Sequence, residues 1–353
     1  MNLADLARRP TEWLRGTGRM NDVVISSRVR LARNLAGMPF LGRCNSDQQT
    51  EIEARLRDCI MTARVTDETF YLDIAGCDEI DRSLLVERHL ISQQHARGTH
   101  PRGVAFSPSE TLAIMVNEED HLRLQVLRSG LELDQAVAEA IAADNRLEEH
   151  LSFAFHRKYG YLTACPTNVG TGLRISVMLH LPALKMTGEI EKVFRAAHDM
   201  RLAIRGLYGE GTEATGDFFQ ISNQTTLGKA EDQIVHEFCV DTLPHIIDYE
   251  RKARDVLLTQ RAIAVDDRIE RSLAVLNAAK LISSDETMYL LSLIRMGITL
   301  GRCSELDLAT VNELFLMTQP AHLQKMHGRE MEPLERAEAR ATYIRQRLEA
   351  SEN

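Results

Sequence analysis

Lysine is scarce in this chain and comes late. Only seven of the 42 cationic residues are lysines, the first at Lys158, which leaves 35 arginines. Codon bias toward arginine explains most of such an excess, but not where particular arginines sit. Cysteine is also sparse. The six at positions 44, 59, 77, 165, 239 and 303 include no pair at zinc-ligand spacing, so a zinc site is not expected. Free thiols in a reducing compartment fit better than a disulfide framework. No apolar run is long enough to span a bilayer. The N-terminus lacks the charged-then-apolar pattern of a signal peptide, and the expected location is the cytoplasm. A net charge of −9 argues against nucleic acid as the main partner. Missing too are a Gly-x-x-x-x-Gly-Lys-Ser/Thr loop and the set Val-Ala-Ile-Lys, His-Arg-Asp and Asp-Phe-Gly. Gly228-Lys229 is followed by Ala230 and has no upstream partner glycine. Any phosphoryl transfer must therefore use another electrostatic cradle. There is no internal repeat and no low-complexity tract.

What is present is ordinary in bulk. The 353 residues are 44% hydrophobic and 26% charged, as in a soluble globular protein, and the length allows two domains. The most informative stretch is Cys165-Pro166-Thr167-Asn168-Val169-Gly170-Thr171-Gly172-Leu173-Arg174, which runs into the strand-like Ile175 to Leu181. Two glycines allow close backbone approach to a ligand. The loop brings one cysteine and one arginine to a sheet edge.

Other segments supply matching pieces. Leu3, Leu6, Trp13 and Leu14 make a small apolar face in a leader spanning 1–22, where the single tryptophan reads as a packing anchor. Val23 to Ile25 read as a strand that continues through Ser26-Ser27-Arg28-Val29-Arg30. On an extended chain Arg28 and Arg30 point to one face, and two guanidinium forks there suit a polyphosphate. An exposed charged face is the alternative. Ser46 to Ala63 has helical spacing, with Ser46 or Asp47 as N-cap and Cys59 in the core. Val104 to Phe106 and Leu112 to Val116 predict a hairpin. The second run ends in the acidic turn Asn117-Glu118-Glu119-Asp120-His121-Leu122-Arg123. Asp134 to His156 reads as an alanine-rich helix capped by Asp134 that covers the sheet. A helix near Glu189 to Met200 precedes a strand, Leu202 to Leu207, then a glycine-rich loop and the strand Phe218 to Asn223. From Thr226 onward the pattern is helical. Pro244 should break or kink it, and the charged run 251–261 suggests a domain boundary. Ser283, Asp307 and Pro333 start later helices.

Four of these segments, Ser26 to Asn34, Asn117 to Arg123, Cys165 to Arg174 and the region around Arg205 to Glu210, resemble the guanidino (phosphagen) kinases. The resemblance implies an α+β fold: a strongly curved antiparallel sheet flanked by helices, followed by an all-helical C-terminal domain. It implies a catalytic domain over 23–255 and a helical domain over 256–353 for dimerisation and regulation. It implies ATP as the nucleotide, with Mg²⁺ held mainly through phosphates and water. The nucleotide positions it implies are Ser26, Ser27, Arg28, Val29, Arg30, His89, Arg123, Arg174, Ile175, Ser176, Val177, Met178, Arg205, Gly206, Leu207, Tyr208, Gly209 and Glu210, with His89 packing on the adenine. Arg28, Arg30, Arg123, Arg174 and Arg205 would hold the phosphates, since arginine binds bidentately and stays charged. A guanidinium acceptor is a poor nucleophile while cationic. Glu119 is therefore assigned as base and Glu210 as the orienting carboxylate, with Cys165 nearby for positioning and electrostatics.

Phosphagen kinases for free arginine or creatine carry a helical domain before the Ser-Ser-Arg motif. Here that motif starts at Ser26 and helical residues follow the catalytic part. This order resembles the bacterial protein-arginine kinases. That resemblance implies protein substrates bearing arginine, a Clp-type unfoldase and protease, a stress-response repressor, an activator protein and a homodimer. It also implies a phosphoarginine-binding Arg-Asp-x-x-Arg-Ala motif. The matching stretch is Arg336-Ala337-Glu338-Ala339-Arg340-Ala341, in which alanine stands in place of the aspartate. The alternative there is a plain charged helix face. For the whole chain, the alternatives are a kinase of free arginine or another small guanidine, and a non-catalytic adaptor on the same fold.

Overall fold

The computed structural model describes residues 3–207 and 215–351. The strands are β1 (Val24–Arg33), β2 (Phe70–Asp73), β3 (Gly103–Phe106), β4 (Leu112–Val116), β5 (Leu122–Ser129), β6 (Phe155–His156), β7 (Gly160–Tyr161), β8 (Leu173–His180), β9 (Leu202–Arg205) and β10 (Phe218–Asn223). Eight of them form one sheet in the order β2-β3-β4-β5-β1-β8-β10-β9, and β6 and β7 pair separately. Every pairing in the large sheet is antiparallel. The expected β3–β4 hairpin is present.

The two faces of the sheet have different chemistry because side chains alternate along each strand. Val29, Leu31, Leu124, Val126, Ile175 and Val177 share one core with Leu133, Ala136 and Ala140 of the helix Leu133–Glu148. That helix lies across β1 and β5. Its alanines, spaced three and four apart, let it approach closely. The opposite face of the central strands carries the arginines.

Helix ends depart from the sequence reading in two places. The first long helix runs Ser46–Thr62, and its cap is Asn45, not Ser46 or Asp47. Asn45 and Gln48 each satisfy the other's backbone N–H, a reciprocal arrangement that a serine at position 46 cannot reach. The alanine-rich helix stops at Glu148, and no side chain caps its start. His156 instead pairs with Gly160 in the ribbon. Pro244 marks a change in the helical run, as expected: a π-helical turn, Glu237–Thr242, precedes it and a new α-helix starts at Leu243. It sits in the first turn of Leu243–Ala278, where its missing N–H costs nothing. The charged run 251–261 lies inside that helix, whose one non-helical residue is Arg261 (φ −142°, ψ 31°). Ser283 and Asp307 cap Ser284–Thr299 and Leu308–Met317 as read, and Pro333 opens Pro333–Ser351.

One hydrophobic core runs from Trp13 to Leu348 and includes residues on both sides of position 255. A buried polar chain adds to it. Arg295 donates to His180 Nδ1 (3.0 Å) and to the Asp22 carbonyl (3.1 Å). His180 Nε2 lies 2.9 Å from Ser292 Oγ, which donates to Asp217 at 2.7 Å. The leader, the end of β8, the residue before β10 and a C-terminal helix are thereby joined. Among the described residues no helix is long and apolar enough to cross a membrane.

Candidate active site

Strand register assembles the arginines. Directly opposed residues in an antiparallel pair share a face. Arg30 stands opposite Arg174 on β8 and opposite Gln125 on β5, and Ala32 opposite Arg123. Arg28 faces Ser176, and Arg205 faces Gln220. Arg28, Arg30, Arg123, Arg174 and Arg205 therefore come to one face from four strands. Arg28, Arg30, Arg123 and Arg205 line a cleft of about 620 Å³, with His89, Ser92, Glu118 and Gln220 on its walls.

The array is electrostatically loaded. Arg30 is 7% exposed, and its Nε and one Nη have no hydrogen-bond partner. Burial first, and then Arg28, Arg123, Arg174 and Arg205, depress its proton affinity well below the ordinary value. Burial, and then Arg123, Arg174 and Arg205, push Arg28 down to about 9. Arg28 donates to Gln220 (2.5 Å), and Arg174 donates to Ser222 Oγ (3.0 Å). Arginine does not release its proton in proteins, so an anion bound here would relieve this crowding.

The remaining nucleotide positions divide. Met178 and Ser176 lie on the arginine face, and Ser26 lines an inner pocket beside Arg28. Leu207 reaches the cleft and Gly206 precedes it. Val29, Ile175 and Val177 point the other way, into the core, because they alternate with the cleft residues. Ser27 is also buried: its hydroxyl donates to the Gly130 carbonyl (2.8 Å) and accepts from the Glu132 N–H (3.0 Å). It pins the end of β1. Tyr208, Gly209 and Glu210 lie outside the described residues.

The acidic turn contributes more than its middle glutamate. Asn117 adopts φ 59°, and its N–H donates to the His121 carbonyl, closing a tight turn between β4 and β5. Glu118, not singled out from sequence, pairs with Arg123 at 2.7 Å and accepts from Ser92. Burial would raise its pKa, but Arg123, Ser92 and the Glu119 N–H outweigh burial and hold it at about 2. Glu119 is half-buried, and burial followed by Asp120 and Glu118 raises its carboxyl, against Arg123 and Arg174. Asp120 Oδ1 accepts from Asn34 Nδ2 and from the Ala164 N–H, each at 2.6 Å. Ala164 adjoins Cys165, so the base candidate and the cysteine are brought to one corner. Cys165 Sγ lies 3.0 Å from Thr167 Oγ1.

The glycines of the signature loop serve backbone packing. Gly172 has φ 67°, and a Cβ there would sit 2.6 Å from Arg33 and 2.8 Å from the Ala32 carbonyl. Gly170 is held equally tightly against Thr226 and Leu227. Arg33, the third arginine of its motif, is buried and paired with Asp144 at 2.6 Å. It donates to the Thr171 carbonyl and lies over the Tyr161 ring. The charge partner could not be read locally, since Asp144 is far along the chain.

In the C-terminal helix Arg340 is 3% exposed. It donates to the carbonyls of Thr318 (2.8 Å) and Ile282 (2.9 Å). Arg336 is half-buried and donates to the Met331 carbonyl. Neither residue sits on a plain solvated face. Among the described residues, no group of three or more His, Cys, Asp and Glu side chains is arranged to hold a metal.

Comparison with known proteins gives the arrangement a family. The model of the ATP:guanido phosphotransferase C-terminal catalytic domain matches residues 51–253. That of the protein-arginine kinase McsB C-terminal domain matches 262–353. The protein-arginine kinase of Halothermothrix orenii is 45% identical over 99% of both chains. That of Symbiobacterium thermophilum is 46% identical over 98% of both. Among solved structures, the duplicated taurocyamine kinase of Schistosoma mansoni superposes with TM-score 0.60 at 28% identity, over 70% of this chain and 35% of that one. This chain thus spans about a third of the duplicated enzyme. A lombricine kinase gives TM-score 0.53 at 27% identity, covering 65% of this chain and 66% of that one. The cleft of arginines is thus set in an ATP:guanido phosphotransferase fold, and the chain belongs to the protein-arginine kinase family.

Proposed function

We propose that this chain is a protein-arginine kinase that transfers the γ-phosphoryl group of ATP to arginine side chains in proteins. The observation that carries the reading is Arg30, buried among four other arginines with two donor nitrogens unpartnered. Such a group needs an anion of high charge, and a triphosphate provides one. Arg28, Arg123, Arg174 and Arg205 complete the cradle, and His89 serves the adenine end. Bound Mg²⁺ neutralises charge on the transferred group, and nucleotide oxygens and water hold it.

The acceptor is a guanidinium, and carboxylates grip its N–H groups. Glu119 takes the proton as a guanidino nitrogen attacks the γ-phosphorus, and its raised proton affinity suits a base. Glu210 orients the same group. Cys165, tied to Glu119 through Asp120 and Ala164, positions the guanidinium without forming a covalent bond.

Resemblance supports the wider assignments. Residues 23–255 form the catalytic part, and 256–353 serve dimerisation and regulation. The chain works in the cytoplasm as a homodimer under an activator protein. It marks proteins for a Clp-type unfoldase and protease and acts on a stress-response repressor. Arg336 and Arg340 contribute to a phosphoarginine site. The deciding experiment is incubation with Mg-ATP, offering an unfolded arginine-rich protein beside free arginine, read by mass spectrometry without acid. Phosphate on protein arginines is expected. Product on free arginine alone would make it a small-guanidine kinase, and no product on either with ATP still bound would favour the adaptor or a missing activator.

A further inference from the structure

Trp13 is the single tryptophan of the chain and lies in the leader, within the short turn Glu12–Leu14. It is 4% exposed, yet it does more than fill the core. Its ring packs edge-to-face on His89, with centroids 4.5 Å apart at 82°. Both rings line an inner pocket that continues from the arginine cleft past Arg28 and Gln220. That pocket holds only about 10 Å³, too little for a base, so a nucleobase meets the cleft side of His89 and Trp13 backs the imidazole. Trp13 Nε1 is buried without a hydrogen-bond partner, so core packing and the His89 contact, not a hydrogen bond, hold the indole. The leader is anchored beside this point, because Glu12 pairs with Arg128 of β5 at 3.7 Å.

His89 is held in an unusual state. Its φ is 58°, its N–H donates to Val86, and its carbonyl accepts from Gln125, the residue opposite Arg30. Its backbone is thus tied to the arginine face, while its ring is set by Trp13. Burial, and then Arg28, keep the imidazole neutral by lowering it to about 3. A neutral flat ring at the end of a cationic cleft suits a stacked heteroaromatic.

We infer that Trp13 is a positioning residue for the purine end of the nucleotide, fixing the His89 ring as the platform on which the base stacks. The leader therefore belongs to the nucleotide site. This inference rests on the nucleotide reading of the cleft.

Trp13 fluorescence tests it in the intact protein, titrated with Mg-ADP beside calorimetry. The emission should change and saturate at the calorimetric Kd. In Trp13→Leu, KM for ATP should rise roughly two- to tenfold, the size of one edge-to-face contact. KM for the protein substrate should hold and kcat should fall less than KM rises. Trp13→Phe should restore most of the ATP KM. ADP heat with silent emission and unchanged KM in Trp13→Leu would overturn this inference alone. No ADP heat in the unmodified protein would remove the nucleotide reading and this inference with it.

Discussion

Asp120 Oδ1 accepts a 2.6 Å hydrogen bond from the Ala164 N–H. One residue before Asp120 is Glu119 and one after Ala164 is Cys165, so this bond ties together the segments that carry the two catalytic candidates. Asn34 at the end of β1 donates to the same oxygen and also to the Leu162 carbonyl. In Asp120→Ala, two donors lose their acceptor and the corner loosens. The expected result is a kcat lower by roughly 100-fold, as for a misplaced reacting group. ADP affinity should stay within about threefold, since the arginine face is untouched. Asp120→Asn keeps an acceptor oxygen and should recover part of kcat. An unchanged kcat in Asp120→Ala would remove the positioning role.

Glu119 has a carboxyl raised by burial and by two acidic neighbours. As a base it acts ionised, so activity should fall on the acid side as pH drops through this raised value, earlier than for an ordinary glutamate. Glu119→Gln should lower kcat by roughly 10²- to 10⁴-fold and abolish that acid limb, with ADP binding retained. The same substitution should stabilise the protein at neutral pH. A carboxyl with a raised folded pKa costs stability above that value and costs nothing below its unfolded pKa. Thermal melts at pH 7 and at low pH separate the two regimes.

Arg30 should show function and stability in opposition. Arg30→Met removes a buried cation that four arginines repel, so the melting temperature should rise by on the order of a few °C. ADP affinity should fall by roughly 10- to 100-fold, the loss of a charge-assisted contact. Calorimetry and a thermal melt on one preparation measure both. A variant that melts lower and still binds ADP would sink the phosphate role.

Arg340 and Arg336 should separate structure from regulation. Arg340→Ala leaves the Thr318 and Ile282 carbonyls without their donor, at about 1–3 kcal/mol for each unsatisfied group. A lower melting temperature is expected whatever the residue does in regulation. Arg336 is half-buried, so Arg336→Ala is the cleaner probe of phosphoarginine binding. Unchanged phosphoarginine affinity in Arg336→Ala, with the fold intact, would end that assignment.

Much of the site was legible because its signals are local. Alternation alone put Arg28 and Arg30 on one face of a strand, and β1 bears this out. The same period-two reading of Gln220 and Ser222 would have added the two residues that bind Arg28 and Arg174. The misreadings have local causes too. Gly170 and Gly172 looked like room for a ligand, whereas Thr226 and Ala32 backbone occupies that room.

Composition and motif spacing determined which groups the protein has: an arginine excess, an acidic turn, a glycine-rich loop, and strands to carry them. Tertiary structure decided what each group does. Antiparallel register brought five arginines from four strands to one face and turned Val29, Ile175 and Val177 to the other. Long-range pairing gave Arg33 to Asp144 and left Arg30 with unpartnered donors. Side-chain alternation follows from backbone geometry and is written in any short segment. Which strands become neighbours, and which charges meet a counter-charge, depends on the packing of segments far apart in the chain, and no short segment carries that information.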